Sequence, residues 1–263
     1  MSKLSAHINN IALHHSVFAL PFAYMGLFLA ARSSALAMDN LVDLKFDKQQ
    51  NRMSKRPLVT GAIKPIEVII LIIVSLCIFL YSASQLAPIC LKLTPICLFF
   101  LLFYPYTKRF TFLCHYFLGV ALAMAPAGGY IAVTGELPFG IILLSGGVCL
   151  WIGSFDVIYG SQDRQFDLDH KLHSMATQFG VANAHKIAAF FHFISILCFI
   201  GAGIYFDLSF IYYIGVLIAI LTLIYQHSLI TPYDFSRLTQ VYFMRNGIVS
   251  IVIFVFTLID ILS

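Results

Sequence analysis

Six of the chain's twelve Asp and Glu residues fall in two short segments, and a seventh, Asp169, lies just beyond the second. The first runs Asp39-Asn40-Leu41-Val42-Asp43-Leu44-Lys45-Phe46-Asp47. Its acids sit at i, i+4 and i+8, which stacks them on one face of a helix, about 6 Å apart per step. The second runs from Asp156 through Tyr159, Gln162 and Asp163 to Asp167. Asp156, Asp163 and Asp167, at i, i+7 and i+11, share a face, and Asp169 falls off it. Like charges one turn apart oppose a helix by about a few tenths of a kcal/mol, and ionised groups beside hydrocarbon cost more. Something cationic must offset them. Oxygen-only carboxylate clusters suit Mg²⁺, which takes one or two carboxylates and completes its shell with water and substrate phosphates. Two such clusters on different helices could hold a diphosphate between two metal ions and neutralise its charge as it leaves. One acidic trio alone would read as a solvated helix end; two, both near basic loops, argue for a site.

Arg52, Lys55 and Arg56 follow the first segment, just before Pro57. They could bind diphosphate oxygens, the arginines through planar forks, or simply anchor a cytoplasmic loop. Lys108 and Arg109, after Tyr104-Pro105-Tyr106-Thr107, carry the same two readings. Arg32 stands apart. It lies two turns before Asp39 on the same face, about 10 Å deeper along the helix. An arginine buried in a span is a functional hypothesis by default: it would receive an aromatic carboxylate or pair internally with the acids.

The elements that must position these residues are membrane helices. Sixty per cent of the chain is apolar and 11 % is charged, and the mean hydropathy is +0.90. A soluble domain of this length cannot bury so much apolar side chain. A spanning helix needs about 20 apolar residues, and only helices satisfy their own backbone within each segment. The expected architecture is therefore all-α: a polytopic transmembrane bundle, 1–263 as one domain, with eight spans over 12–38, 64–84, 87–105, 114–134, 137–160, 186–206, 209–228 and 241–262. The bases gather in alternate loops, so the positive-inside rule puts 43–64, 105–112, 161–186 and 226–245 in the cytoplasm, and the acids with them. The net charge of +4 reflects that bias and not nucleic-acid binding, because the bases are spread over four loops. Six cysteines without a CxxC pair read as packed free thiols. The histidines show no ligand spacing beyond His14-His15 and His170/His173. Ala35-Leu36-Ala37 after an apolar stretch imitates a signal-peptidase site, but the stretch is long for a signal sequence.

The two acidic segments resemble the signature motifs of the UbiA superfamily of intramembrane aromatic prenyltransferases. The first family motif, NDxxDxxxD followed by RTxxRPL, reads here Asp39-Asn40-x-x-Asp43-x-x-x-Asp47 and then Arg52-Met53-Ser54-Lys55-Arg56-Pro57-Leu58. The second, DxxYAxQDxxxDxxxGxxS, reads Asp156-x-x-Tyr159-Gly160-x-Gln162-Asp163-x-x-x-Asp167, with Ser174 at the right distance. His15 to Ala23, Tyr106-Thr107-Lys108-Arg109-Phe110-Thr111, Ala125-Pro126-Ala127-Gly128 and Tyr225-Gln226-His227 resemble the 4-hydroxybenzoate polyprenyltransferase branch. The resemblance implies that Asp43, Asp47, Asp163 and Asp167 are the catalytic acids and hold Mg²⁺ together with Asp39. It makes Arg52, Arg56 and Lys108 diphosphate partners, and it enrols Arg32, Asn40, Asp156, Tyr159 and Gln162 in substrate binding. The implied reaction is ionisation of a polyprenyl diphosphate, attack by an electron-rich ring carbon of an aromatic acid, and loss of a proton. It implies quinone biosynthesis in a bacterial inner membrane with the site facing the cytoplasm.

The chain departs from the pattern in places. Asp39 and Asn40 are swapped, Met53 replaces Thr, and Lys171 replaces Gly. The family places two helices before the first motif, whereas residues 12–38 suffice for one; a single helix with residues 1–10 outside is expected, because Pro21 and Gly26 are the only turn signals in 16–38. Three alternatives stand beside the main reading: a dihydroxynaphthoate acceptor for menaquinone, a cation transporter using the aspartates as ligands, and an inactive structural family member. Transporter sites lie near the bilayer midplane, whereas these acids sit at helix ends.

Overall fold

The computed structural model describes residues 13–232, 234–236, 238 and 244–263, with side chains from Gly26 onward except 244 and 245. Among the described residues the fold is all-α; the only strand-like feature is one bridge between Thr231 and Asp234. In chain order the helices are α1 (Leu13–Val42), α2 (Leu44–Asp47), α3 (Pro57–Thr60), α4 (Pro65–Ser84), α5 (Pro88–Thr107), α6 (Cys114–Thr134), α7 (Phe139–Gly160), α8 (Arg164–Asp169), α9 (Met175–Phe179), α10 (Val181–Tyr205), α11 (Phe210–Leu229) and α12 (Met244–Leu262). Eight are long, and they occupy the eight expected spans. Six pass a combined test of length and apolarity for crossing a membrane. The remaining two are α1, whose end carries the first acids, and α12, whose apolar part is shorter. The chain is an integral membrane protein. Ile66, Ile70, Phe190, Leu221 and Phe254 are among many exposed apolar side chains on these helices, as lipid-facing surfaces require.

The chain divides into two compact units, one of 1–102 with 128–136, the other of 103–127 with 137–263. In the first, α1 packs along α4. Gly26 sits at their crossing: a Cβ there would lie 2.7 Å from Ser82 Oγ. It serves close approach and not a turn, and α1 runs unbroken through it. Ala37, Leu58, Val68 and Ile72 form the core below. The expected single first helix is what is found; the expectation for residues 1–10 lies outside the described residues.

In the second unit α10 packs along α7, and α12 along α11. Lipid is as apolar as leucine, so burial alone does not hold such helices together; close van der Waals approach does. Gly147 faces the ring of Phe199, and a Cβ there would come within 2.6 Å of it. Gly215 meets Phe256 in the same way, at 2.6 Å. Gly147→Ala would force Phe199, buried with Trp151, Ile196 and Tyr212, out of its core.

Candidate active site

The first acidic segment straddles a helix end. Asp39 and Asn40 occupy the last turn of α1, where the helix dipole disfavours negative charge and the turn itself carries no basic residue. The helix stops at Val42, but the stacking continues: the Asp43 N–H donates to Asp39 O at 3.0 Å and the Asp47 N–H to Asp43 O at 2.8 Å. Each acid thus follows the last by one turn, as the spacing implied. Asp39 and Asp43 are half-buried, and Asp47 is 6 % exposed. Arg56 Nη1 donates to Asp47 Oδ2 at 2.6 Å. Pro57 explains the aim. A residue before proline is held extended, and Arg56 is, at φ −64° and ψ 136°, which fixes the backbone from which its side chain reaches Asp47. Arg52 is exposed in the short 3₁₀ turn Asn51–Met53.

Arg32 is exposed, not buried as expected. It makes no ion pair among the described residues, so the internal pairing with the acids is not formed.

The second segment differs from the expected continuous helix. α7 ends at Gly160, a 3₁₀ turn covers Ser161–Asp163, and α8 resumes at Arg164. Ser161 Oγ donates back to Val157 O at 2.7 Å, which competes with the regular ladder. Three residues of 3₁₀ advance the phase by roughly 60° beyond an α-helix, too little to invert the faces. Asp167 is fully buried, Asp163 half-buried, and Asp169 exposed with only Gln165 as partner. Lys108 Nζ lies 2.7 Å from Asp167 Oδ1. Oδ1 is thus paired with the ammonium, while Oδ2 is buried with no hydrogen-bond partner among the described residues. Burial works against the Lys108 charge, but the Asp167 carboxylate outweighs it, with Asp163 adding, and holds the ammonium above its ordinary pKa. Gln162 Nε2 donates to Tyr159 O at 2.8 Å, and both side chains are half-buried.

The chain matches the model of the UbiA prenyltransferase family over residues 11–248. It belongs to that family. A relative from Methylobacillus flagellatus, named 4-hydroxybenzoate octaprenyltransferase, is 28 % identical over 235 residues, covering 89 % of this chain and 78 % of that one. One of the same name from Nitrosospira multiformis is 30 % identical over 230 residues, covering 87 % and 78 %. The solved apo structure of a UbiA homolog from Aeropyrum pernix K1 superposes with a TM-score of 0.80 at 28 % identity, covering 94 % of this chain and 98 % of that chain. A UbiA homolog from Archaeoglobus fulgidus, solved bound to DMAPP and Mg²⁺, shares the fold, with a TM-score of 0.69, 19 % identity and coverage of 93 % and 88 %.

With the UbiA family established, the rest of its second motif acquires a structural reason. Lys171, where the motif carries Gly, has φ +56°. That is left-handed backbone, which glycine adopts without strain and lysine does not. Ser174 is fully buried and caps α9, its Oγ accepting from the Thr177 N–H at 3.2 Å. The His173 N–H donates to Lys108 O at 2.7 Å and the Leu172 N–H to Asp167 O at 2.8 Å. This loop therefore holds Lys108 beside Asp167.

Among the described residues no group of three His, Cys, Asp or Glu is gathered closely enough to hold a metal unaided. Mg²⁺ does not require one, since water and phosphate complete its shell. A fully buried carboxylate with one oxygen, Asp167 Oδ2, left without a partner among the described residues fits that ion. Asp156 has a partner that the sequence reading missed: His115, 5 % exposed, with Nδ1 2.7 Å from Asp156 Oδ2. The available signal was an ionisable residue inside an apolar run, which is a functional hypothesis by default.

Proposed function

We propose that this chain transfers a polyprenyl group from polyprenyl diphosphate to 4-hydroxybenzoate in quinone biosynthesis, as one Mg²⁺-dependent transmembrane domain of a bacterial inner membrane with its site on the cytoplasmic side. Family membership and relatives named 4-hydroxybenzoate octaprenyltransferase support the reaction. The observation that carries the site is Asp167: fully buried, with Oδ1 paired to Lys108 and Oδ2 buried without a hydrogen-bond partner among the described residues. Lys108 offsets the charge from one side, and the second buried oxygen is costly to leave without a partner. Mg²⁺, bound at the UbiA homolog of Archaeoglobus fulgidus with DMAPP, supplies charge that favours diphosphate departure.

The chain's residues divide the work. Asp39, Asp43, Asp47, Asp163 and Asp167 hold the metal, with Asn40 beside the first of them. Lys108, Arg52 and Arg56 bind diphosphate oxygens, and Lys108 keeps its charge to do so. Arg32, exposed and without an ion pair among the described residues, receives the acceptor's carboxylate. Asp156, Tyr159 and Gln162 line the substrate side. The C–O bond to diphosphate breaks, the allylic cation is attacked by the ring carbon ortho to the hydroxyl, and the proton on that carbon leaves.

Purified protein supplied with a polyprenyl diphosphate and Mg²⁺ should prenylate 4-hydroxybenzoate in preference to a dihydroxynaphthoate. Preference for the naphthoate would move the enzyme to menaquinone synthesis, and ion flux without transfer would favour the transporter.

A further inference from the structure

His115 lies one residue inside α6, in a stretch otherwise apolar, and it is 5 % exposed. Its Nδ1 holds Asp156 Oδ2, while its Nε2 is buried without a hydrogen-bond partner. The ring rests on Gly160, one turn beyond Asp156 on α7: a Cβ at Gly160 would stand 2.9 Å from His115 Cε1. The next residue repeats the arrangement, Tyr116 lying over Gly153 and sharing a hydrogen bond with Ser154 at 3.2 Å. Two neighbouring rings of α6 are thus seated on two glycines of α7. The family motif has Ala where this chain has Gly160, and an alanine methyl would occupy the space of the imidazole.

Asp156 is held by one oxygen only. Oδ1 has no partner among the described residues, and the side chain is 29 % exposed. Asp156 also sits two turns inward from Asp163, about 10 Å along the helix. That separates it from the carboxylates assigned to metal and diphosphate. An apolar ring would fill the seat at less cost than a buried imidazole facing a carboxylate, so packing alone does not account for His115.

We propose that His115 is a positioning residue for the acceptor: seated on Gly160, it fixes the Asp156 carboxylate so that Oδ1 accepts the hydrogen bond of the acceptor's phenolic hydroxyl. This rests on the reaction proposed above. His115 touches no reacting atom; it acts through Asp156.

A double-mutant cycle over His115 and Gly160 tests it, with KM for 4-hydroxybenzoate and for polyprenyl diphosphate measured separately. His115→Leu should raise KM for 4-hydroxybenzoate about tenfold or more, the scale of one hydrogen bond to a charged group, and leave the diphosphate KM within about twofold. His115→Asn, which keeps an N–H near the Nδ1 position, should recover most of the loss. Gly160→Ala should imitate His115→Leu, and adding His115→Asn to it should improve on Gly160→Ala alone, because the smaller side chain clears the methyl. Thermal melting establishes that each variant folds; if His115→Leu does not, the comparison of Gly160→Ala with the double variant decides. Equal rises in both KM values, no recovery with Asn, or additive effects across the cycle would overturn the inference. A wild-type protein that transfers no prenyl group to either acid would overturn the proposed function along with it.

Discussion

The two acidic segments present the same residue type to different surroundings. Asp47 is neutralised by Arg56, nine residues away, through a hydrogen bond of 2.6 Å. Asp167 is met by Lys108, far off in sequence, at Oδ1 only, and its Oδ2 is buried without a partner among the described residues. Local geometry explains the first: the proline after Arg56 holds that residue extended, nine residues from its partner. The second depends on tertiary packing, with the loop after α8 bonding the backbone of Lys108. Asp47 is therefore satisfied by a neighbour in its own segment, while Asp167 keeps one buried oxygen, Oδ2, without a partner among the described residues. That difference assigns the second segment the larger share in stabilising the departing diphosphate.

The strongest way to break this comparison is Asp167→Asn against Asp47→Asn. Removing the charge at Asp167 should lower kcat by about a thousandfold, the upper range for losing one group that stabilises developing charge, and Asp47→Asn by about tenfold less. A larger loss at Asp47 would reverse the ranking. Arg32→Ala comes next. It should raise KM for 4-hydroxybenzoate about tenfold, as expected for a lost hydrogen bond to a charged group, and change the diphosphate KM little. The opposite selectivity would assign Arg32 to the donor. Asp169→Asn sharpens the comparison within one segment: the residue is exposed, and kcat should stay within about twofold, as for most surface substitutions. A loss matching that at Asp167 would mean that helical phase does not select the acids. The smallest effect concerns the loop behind Lys108. Lys171→Gly should relieve left-handed strain and raise stability by up to about 1 kcal/mol, read as a higher melting temperature in detergent.

The eight long helices were legible because each needs an apolar run of spanning length, and such runs are visible without knowing what packs on them. That Asp169 is exposed while Asp163 and Asp167 are not agrees with the helical phase, because the 3₁₀ turn at Ser161 shifts phase by less than the width of a face. Arg32 was misread. A membrane helix is apolar on every side, so its pattern does not tell which face turns inward. Gly26 was read as a turn signal for a similar reason, since only the crossing with Ser82 reveals its use. Which base would meet Asp167 was not legible among the loop lysines and arginines, because that pairing is fixed by the loop at His173. His115 escaped altogether: its partner lies 41 residues away on another helix, and no spacing rule connects them. Lys171 was seen as a departure from a glycine, but its cost needed the backbone angle.

The central claim is that the acids act through a divalent cation on a prenyl diphosphate. The most direct test is prenyl transfer to 4-hydroxybenzoate by the purified protein with Mg²⁺, then with excess chelator, then with Mg²⁺ restored. The account predicts transfer with Mg²⁺, loss with chelator and recovery on restoration. Equal transfer in the presence of chelator would contradict it.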